Sequence, residues 1–343
     1  MKFKFILSLI FLISCTSSGL DTEGSELYSG KMLYEASHIP NHPEFDPDKM
    51  PYLFLHDFET GVSTQLTEGI HQDRDPIFLS QDEILFASKR PCTGFAADDC
   101  PSRLFKMTIS SESIEEFDLE ISDFLNDLKA QIADEGIYSI PGLLENAKFE
   151  LDRPKLNNES NLLAFRVSIL ATMYLVVFDL NERIPLLTKE IGLAGSNYYW
   201  SRTENKLARL GNFTETNRSV KIIDFSDDST SVIQLPDQAS SFSGWQNDGS
   251  TFLLSKSAPM PNQGALVFNH DSGDIIFESD ESMPDVRNWF YYTLNQDFLV
   301  QMVDPETEGA LDIWFIDSSG NLIERVTRNG YQKKVTDISL SMQ

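Results

Sequence analysis

The sequence predicts an all-β fold in which a unit of about 45 residues repeats along the chain. Strand-like segments end in a polar turn at regular intervals, and the terminal residues Asp179, Asp224, Asn269 and Asp317 are 45, 45 and 48 residues apart. An aromatic series at the start of successive units keeps a similar step, and its members are Phe78, Trp200, Trp245 and Tyr291. Four short strands per unit at this period are typical of a β-propeller blade. We therefore predict a six-bladed β-propeller.

The units assign most of the chain to blades. Blade one has three strands, at 31–38, 52–58 and 62–67, and the others follow at 75–119, 148–188, 197–235, 242–279 and 286–327. We expect the C-terminal segment 335–341 to be the innermost strand of blade one, because Asp337 follows Thr327 much as Asp75 follows Thr67. This pairing closes the ring and removes exposed sheet edges. The aromatic series is expected to pack between blades, with a sugar-stacking platform as the alternative.

Residues 52–90 carry the most recognisable unit. A strand ends at Asp57 before Thr60-Gly61, Leu66-Thr67 closes the next strand, and Asp75-Pro76 and Ser80-Gln81-Asp82 follow. This stretch resembles the WD40-like repeat of the TolB family of propellers, although Glu83 stands where that repeat usually has glycine. The resemblance implies a propeller that contacts other cell-envelope proteins.

The N-terminus reads as a secretion signal. Lys2 and Lys4 precede an apolar run from 5 to 13, which as a helix would rise only about 13 Å and is too short to cross a bilayer. The segment ends in Ser14-Cys15 and resembles the bacterial lipobox, which implies cleavage after Ser14 and lipidation of Cys15. An ordinary signal peptide with an incidental Cys15 is the alternative. We expect residues 15–30 to be a flexible tether, residues 31–343 the propeller, and the outer membrane as location.

Charge excludes one class of partner. The chain of 343 residues carries 53 acidic and 27 basic side chains, a net charge of −26. Nucleic-acid binding needs clustered Lys and Arg, so we expect no nucleic-acid partner. The hydrophobic fraction of 41% is sufficient for a packed core.

One segment interrupts the repeat between blades two and three. Apolar residues at helical spacing predict a short helix at about 121–134, with Ser122 as N-cap and Gly136 as its end. The helix would pack on its own blades or serve as a docking element for a partner.

Few residues suggest covalent or metal chemistry. Cys92 and Cys100 are expected to form a disulfide in an oxidising compartment. His38 and His42 lie in a proline-containing loop without an evident third ligand, so we expect no metal and no cofactor. The remaining histidines, His56, His71 and His270, are expected to be ordinary surface residues.

The channel mouth offers the remaining candidates. The starts of the innermost strands place a mixed-charge set there, and its members are Arg74, Asp75, Asp152, Arg153, Arg287, Asn288 and Asp337. Such a set forms a salt-bridged channel lining or a binding site. With no Gly-x-Ser-x-Gly motif in the sequence, we predict a non-enzymatic, lipid-anchored envelope binding protein with an unknown macromolecular partner. The alternative is a propeller-mouth lyase or hydrolase acting on a saccharide or peptide, with its acid–base pair in this set.

Overall fold

The computed structural model describes residues 28–37, 51–68, 71–90, 100–135, 143–191, 197–214, 217–246, 248–256, 264–280, 283–293, 296–303, 311–327 and 332–342. The described strands form six four-stranded antiparallel sheets, which confirms the predicted six-bladed propeller. Met1–Ser14, Cys15, His38, His42 and Cys92 lie outside the described residues. The signal, the lipidation and the disulfide therefore stay predictions.

Each blade is built from consecutive strands, except blade one. Blade one contains β1 (Tyr28–Ser37), β2 (Tyr52–Asp57), β3 (Val62–Gln65) and β24 (Gln332–Met342). Blade two contains β4 (Arg74–Phe78), β5 (Glu83–Ser88), β6 (Arg103–Thr108) and β7 (Ser113–Glu116). Blade three contains β8 (Phe149–Asn157), β9 (Leu162–Ile169), β10 (Thr172–Asp179) and β11 (Ile184–Glu190).

The second half of the ring follows the same order. Blade four contains β12 (Tyr198–Trp200), β13 (Lys206–Thr214), β14 (Asn217–Asp224) and β15 (Ser229–Gln234). Blade five contains β16 (Ala239–Trp245), β17 (Thr251–Lys256), β18 (Gly264–Asn269) and β19 (Ile275–Glu278). Blade six contains β20 (Val286–Tyr292), β21 (Phe298–Val303), β22 (Leu311–Ile316) and β23 (Leu322–Arg325).

The two ends of the chain close the ring, as predicted. β24 runs antiparallel to β1 from the pair Tyr28 and Met342 to the pair Ser37 and Gln332, and the sheet order is β24-β1-β2-β3. The closing strand is longer than the predicted 335–341. β1 begins at Tyr28, so residues 28–30 belong to blade one and not to the predicted tether.

In every blade except blade two, a polar residue at the end of the third strand forms a turn with its own side chain. Asp57 Oδ1 accepts the N–H groups of Glu59 and Thr60 at 3.0 and 3.1 Å. Asp179 and Asn269 make the same pair of bonds with the residues that follow them. Asp and Asn are suited to this geometry because their short side chains reach the backbone two residues on. The 45-residue step in the sequence is therefore the step from one turn to the next.

Thr67 of the Leu66-Thr67 pair and Thr327 of the similar Val326-Thr327 pair have a structural role too. Thr67 Oγ1 accepts the N–H of Leu53 at 3.2 Å, and Thr327 Oγ1 accepts that of Ile313 at 3.0 Å. Both hydroxyls thus satisfy the backbone of a third strand beyond the end of its neighbour. A buried N–H without a partner would cost about 1–3 kcal/mol, which explains why a hydroxyl residue stands there.

The aromatic series packs between blades, as expected. Trp200, Trp245 and Tyr291 are 7%, 4% and 5% exposed and belong to apolar clusters that join neighbouring sheets. Trp200 Nε1 also donates to the carbonyl of Lys155 in the preceding blade at 2.9 Å. The indole therefore fixes the spacing between blades three and four.

The predicted helix is present as α1 (Ser122–Asp134), followed by the short α2 (Leu143–Asn146). Its N-cap is Ile121, without a side-chain hydrogen bond, so the expectation of a Ser122 cap was wrong. Leu128 and Ile132 are buried in one cluster with Leu104 and Phe149, which shows that the helix packs on blades two and three. Among the described helices, none has the length and apolar character needed to cross a membrane.

Candidate functional site

Blades two and three carry the same irregularity near the start of their innermost strands. The regular pairing of β4 is interrupted just after Arg74, and that of β8 just after Asp152. The next residues, Asp75 and Arg153, both have φ of 53°, a left-handed conformation that costs a non-glycine residue about 1–2 kcal/mol. A proline follows each, and because it has no N–H it adds no donor that would need a partner in the bulge. Asp75 and Arg153 line the central channel in consequence.

Asp152 and Arg74 have a different place, between the blades. Asp152 is 1% exposed, and both its oxygens accept hydrogen bonds from Arg166, the Nε contact being 2.6 Å. Arg74 Nη2 lies 3.7 Å from the same carboxylate and donates to Ser102 Oγ at 3.0 Å. Bidentate pairing of this kind fixes geometry strongly. These two predicted mouth residues therefore hold neighbouring strands together.

A three-residue ion cluster joins blade one to blade two at the channel. Lys334 Nζ lies 2.6 Å from Asp75 Oδ1 and 3.2 Å from Glu35 Oε1. Glu35 Oε1 also accepts the backbone N–H of Asp75 at 2.6 Å. The cluster thus ties β1 and β24 to the bulge of β4.

The three groups differ in their protonation. Burial, and then repulsion from Asp75, raises the pKa of Glu35. Burial acts in the same direction on Asp75, but the ammonium of Lys334 outweighs it and lowers the pKa of Asp75. Burial tends to lower the pKa of Lys334, yet the two carboxylates raise it. At neutral pH, Asp75 and Lys334 form a charged pair, and Glu35 is the carboxyl that protonates first as the pH falls.

Asp337 and Lys155 lie at a second level of the channel. Each is the first residue paired after the bulge of its strand, Asp337 with Leu33 and Lys155 with Ala164. Ile77 holds this place in blade two, so Asp337 corresponds to Ile77. The expected correspondence between Asp337 and Asp75 was wrong.

This second level links blades one, two and three. Asp337 Oδ2 accepts the N–H of Phe78 at 2.9 Å, and Lys155 Nζ donates to the carbonyl of Thr336 at 2.7 Å. Burial lowers the pKa of Lys155, and the nearby carboxylates of Asp337 and Asp75 oppose that shift.

Blade six contributes Arg287 and Asn288. Arg287 Nη2 contacts Asp285 Oδ2 at 2.8 Å, with both side chains 36% exposed. Asn288 Nδ2 donates to the buried Gln301 Oε1 at 2.7 Å, and Asn288 lines the channel. Of the seven predicted mouth residues, the structure brings four to the channel wall, and these are Asp75, Arg153, Asn288 and Asp337.

These residues line a large central cavity. Its volume is about 1230 Å³, and all six blades contribute to its wall. Sequence reasoning missed much of this lining, and the omitted polar residues include Lys155, Asn197, Tyr199, Ser241, Ser243 and Lys334. Glu35, which contacts Lys334 and Asp75 behind this lining, was missed as well, because it lies on a second strand and meets Lys334 only through pairing of the chain ends. A sequence signal existed for Lys155, which follows the Asp-Arg-Pro bulge as Ile77 follows Arg-Asp-Pro.

Two of the histidines expected at the surface are buried or nearly so. His56 is 2% exposed and within 2.9 Å of Ser63 Oγ, and the side chain of His270 is 10% exposed, so their assignment to the surface was wrong. Burial lowers the pKa of His56 to about 4. Within the described ranges, no three His, Cys, Asp or Glu side chains are grouped so that they could hold a metal ion.

Comparisons with known proteins bear on the fold. No protein-family description and no curated protein matches the sequence. TolB from Acinetobacter baumannii superposes with a TM-score of 0.54 and 11% identity, over 90% of this chain and 64% of that one. The chain has the fold of the TolB-like propellers. Kuenenia stuttgartiensis hydrazine synthase matches this propeller with a TM-score of 0.57 and 11% identity, over 92% of this chain and 46% of that one. The propeller chain spans less than two thirds of the length of either protein, and at this identity the likeness shows the fold alone.

Proposed function

We propose that the chain is a lipid-anchored binding protein of the bacterial cell envelope that presents one face of its propeller to another envelope macromolecule. We call the face at which β4, β8, β12, β16 and β20 begin the upper face. Loops from every blade of a propeller meet at such a face, which gives a broad surface for recognition. The lipobox-like end of the signal at Cys15 supports the anchor.

The observation that carries the binding role is that charged side chains at the channel wall are held in place by ion pairs and hydrogen bonds. Lys334 contacts both Asp75 and Glu35, and Asp337 Oδ2 accepts the N–H of Phe78. Such contacts preorganise a wall, and preorganisation favours binding because less order is lost on association.

The anchor is tested with Cys15→Ala. Metabolic labelling with a fatty acid is expected to mark the wild-type chain and not the variant, and the variant should leave the membrane fraction or fail to mature. Cys100→Ala serves as the matched control, since loss of a different cysteine should leave labelling intact. A wild-type chain that takes up no label would contradict lipidation.

A second candidate function is a propeller-mouth enzyme, a lyase or hydrolase acting on a saccharide or peptide. It is favoured by one specific observation: Glu35, whose pKa is raised, and Lys155, whose pKa is lowered, both interact electrostatically with Asp75 on the channel wall. Groups shifted in these directions suit a general acid and a general base.

The two functions differ in their response to substitution. Glu35→Gln and Lys155→Met would each reduce turnover by several orders of magnitude if they carry acid–base chemistry. A binding wall predicts losses of partner affinity below about tenfold for single rim substitutions, as most interface positions show. Glu190→Gln on the exposed β11 is the control for both assays. Loss of turnover with the fold and partner binding intact would refute the binding-only role.

A further inference from the structure

The wall of the central cavity differs in charge from one side to the other. The innermost strands of blades three to five contribute a set of polar side chains rich in hydrogen-bond donors, which we call the donor wall. The set includes Asn197, which directly precedes β12. Its members are Arg153, Lys155, Asn197, Tyr199, Ser241 and Ser243. None of the cavity-lining residues on β8, β12 and β16 is a carboxylate, and Glu159 lines the cavity from the turn after β8. Asp75 and Asp337 lie on the wall formed by blades one and two, together with Lys31 and Lys334.

Donors remain available at the centre of this wall. Within the described part of the chain, Lys155 makes one hydrogen bond, to Thr336 O, and an ammonium carries three N–H donors. Its Nζ also lies 5.9 Å from the centre of the Tyr199 ring. The hydroxyl of Tyr199 has no hydrogen-bond partner among the described residues, and Tyr199 lines the cavity beside it.

Arg153 extends the same surface toward blade four. Its Nη1 donates to Asn197 Oδ1 over a long 3.4 Å, and the amide of Asn197 donates to Phe242 O at 3.4 Å. These two bonds connect the guanidinium of Arg153 to blades four and five. A planar guanidinium offers two parallel N–H groups to an oxyanion, while the ammonium of Lys155 offers a point charge.

The net charge of the protein does not prevent an anion from binding here. Among the described residues few carboxylates are buried, and the influence of the exposed ones falls off over about 8 Å at physiological ionic strength. Arg153 and Lys155 act inside the cavity at contact distance. Burial of Lys155 without a contacting carboxylate is unfavourable, so an incoming oxyanion compensates a charge that the fold has partly desolvated.

We propose that the donor wall binds an anionic oxygen group, a carboxylate or a phosphate, carried by a small ligand that enters the central cavity. Arg153 and Lys155 contact the anion, and the hydroxyls of Tyr199 and Ser241 complete its coordination. The cavity, at about 1230 Å³, is much larger than a free anion, so the group belongs to a larger molecule. This site lies inside the channel and does not depend on the partner contact or on the anchor proposed above.

Calorimetric titration of the full chain in detergent tests this site. The probes are acetyl-Ala-Ala with a free carboxylate, the same peptide as its C-terminal amide, and inorganic phosphate. We expect the free carboxylate, the phosphate or both to bind with a Kd of about 1 mM or tighter, and the amide not to bind. Binding of the acid identifies a carboxylate ligand, and displacement of that acid by phosphate identifies a site that accepts both.

Variants then assign the binding to the donor wall. Lys155→Met and Arg153→Gln are each expected to weaken binding about tenfold or more, the usual effect of losing a charged hydrogen bond. Lys189→Met on the exposed β11 is the matched control and should bind as wild type. Tyr199→Phe removes one hydroxyl and keeps the ring, so it provides a test if the charge variants fail to fold. The proposal would be overturned if neither anion binds at millimolar concentration. It would also be overturned if Lys155→Met and Tyr199→Phe both bind the anion as tightly as the wild type does.

Discussion

A buried ion pair joins the closing strand to blade six, and its two partners should respond very differently to substitution. Lys333 on β24 and Asp312 on β22 both have fully buried side chains, with Nζ and Oδ1 2.8 Å apart. Asp312 also receives Arg325 Nη2 at 2.6 Å and the hydroxyl of Thr327 at 3.0 Å. The carboxylate therefore has other partners.

The magnitudes follow from these contacts. Asp312→Ala leaves the buried Lys333 without its carboxylate, a change that costs about 3–5 kcal/mol. Burial lowers the pKa of Lys333 to about 8 even beside Asp312, which corresponds to roughly 3 kcal/mol against the charged form. Lys333→Met removes that penalty and keeps the length of the side chain, so we expect it to change the free energy of unfolding by less than about 1.5 kcal/mol.

Urea unfolding followed by tryptophan fluorescence measures both free energies. The control is Lys206→Met, an exchange of the same type at a surface ion pair with Glu204, where about 0–1 kcal/mol is expected. Equal destabilisation by Lys333→Met and Asp312→Ala would refute the argument that the lysine carries a net burial cost.

Three further predictions concern closure, pH and the disulfide. Deleting residues 332–343 removes the innermost strand of blade one, so thermal unfolding should shift sharply downward or the protein should aggregate; an unchanged melting temperature would contradict closure by β24. His56 is protonated near pH 6.5 in the unfolded state but only near pH 4 in the folded state. The free energy of unfolding should therefore be insensitive to His56 above pH 6.5 and fall by about 3 kcal/mol as the pH drops to 4. His56→Gln should flatten that slope in urea unfolding, and an unaltered slope would contradict the assignment. Cys92 and Cys100 should resist alkylation without reductant, and breaking their disulfide should cost about 2.5 kcal/mol; free thiols in the purified protein would disprove the pairing.

The fold was predictable because its repeat rests on local chemistry. Asp179 and Asn269 close turns through bonds to residues two and three positions ahead, so their spacing is visible in the sequence. The helix α1 was also predictable, from the period of its apolar residues. Its N-cap residue was not. The side chain of Ser122 makes no capping bond because the helix begins one residue earlier than its pattern suggests.

The candidate site was only partly predictable because it depends on contacts between distant segments. Glu35 and Lys334 are 299 residues apart and meet only through the pairing of β1 with β24. Arg74 and Asp75 are neighbours in sequence, yet the bulge places one between blades and the other in the channel. A one-residue bulge in β24 and a two-residue bulge in β4 likewise displaced Asp337 from its expected level.

Photo-crosslinking in intact cells tests the central claim most directly, namely that the propeller binds an envelope macromolecule at its upper face. A photoreactive amino acid replaces the exposed Asn126 on α1 or the exposed Asp280 after β19, and, as the control, Val232 on the outer strand β15, which is 50% exposed. The account predicts one discrete crosslinked product from position 126 or 280 and none from 232. Equal products from all three positions, or none from 126 and 280, would contradict it.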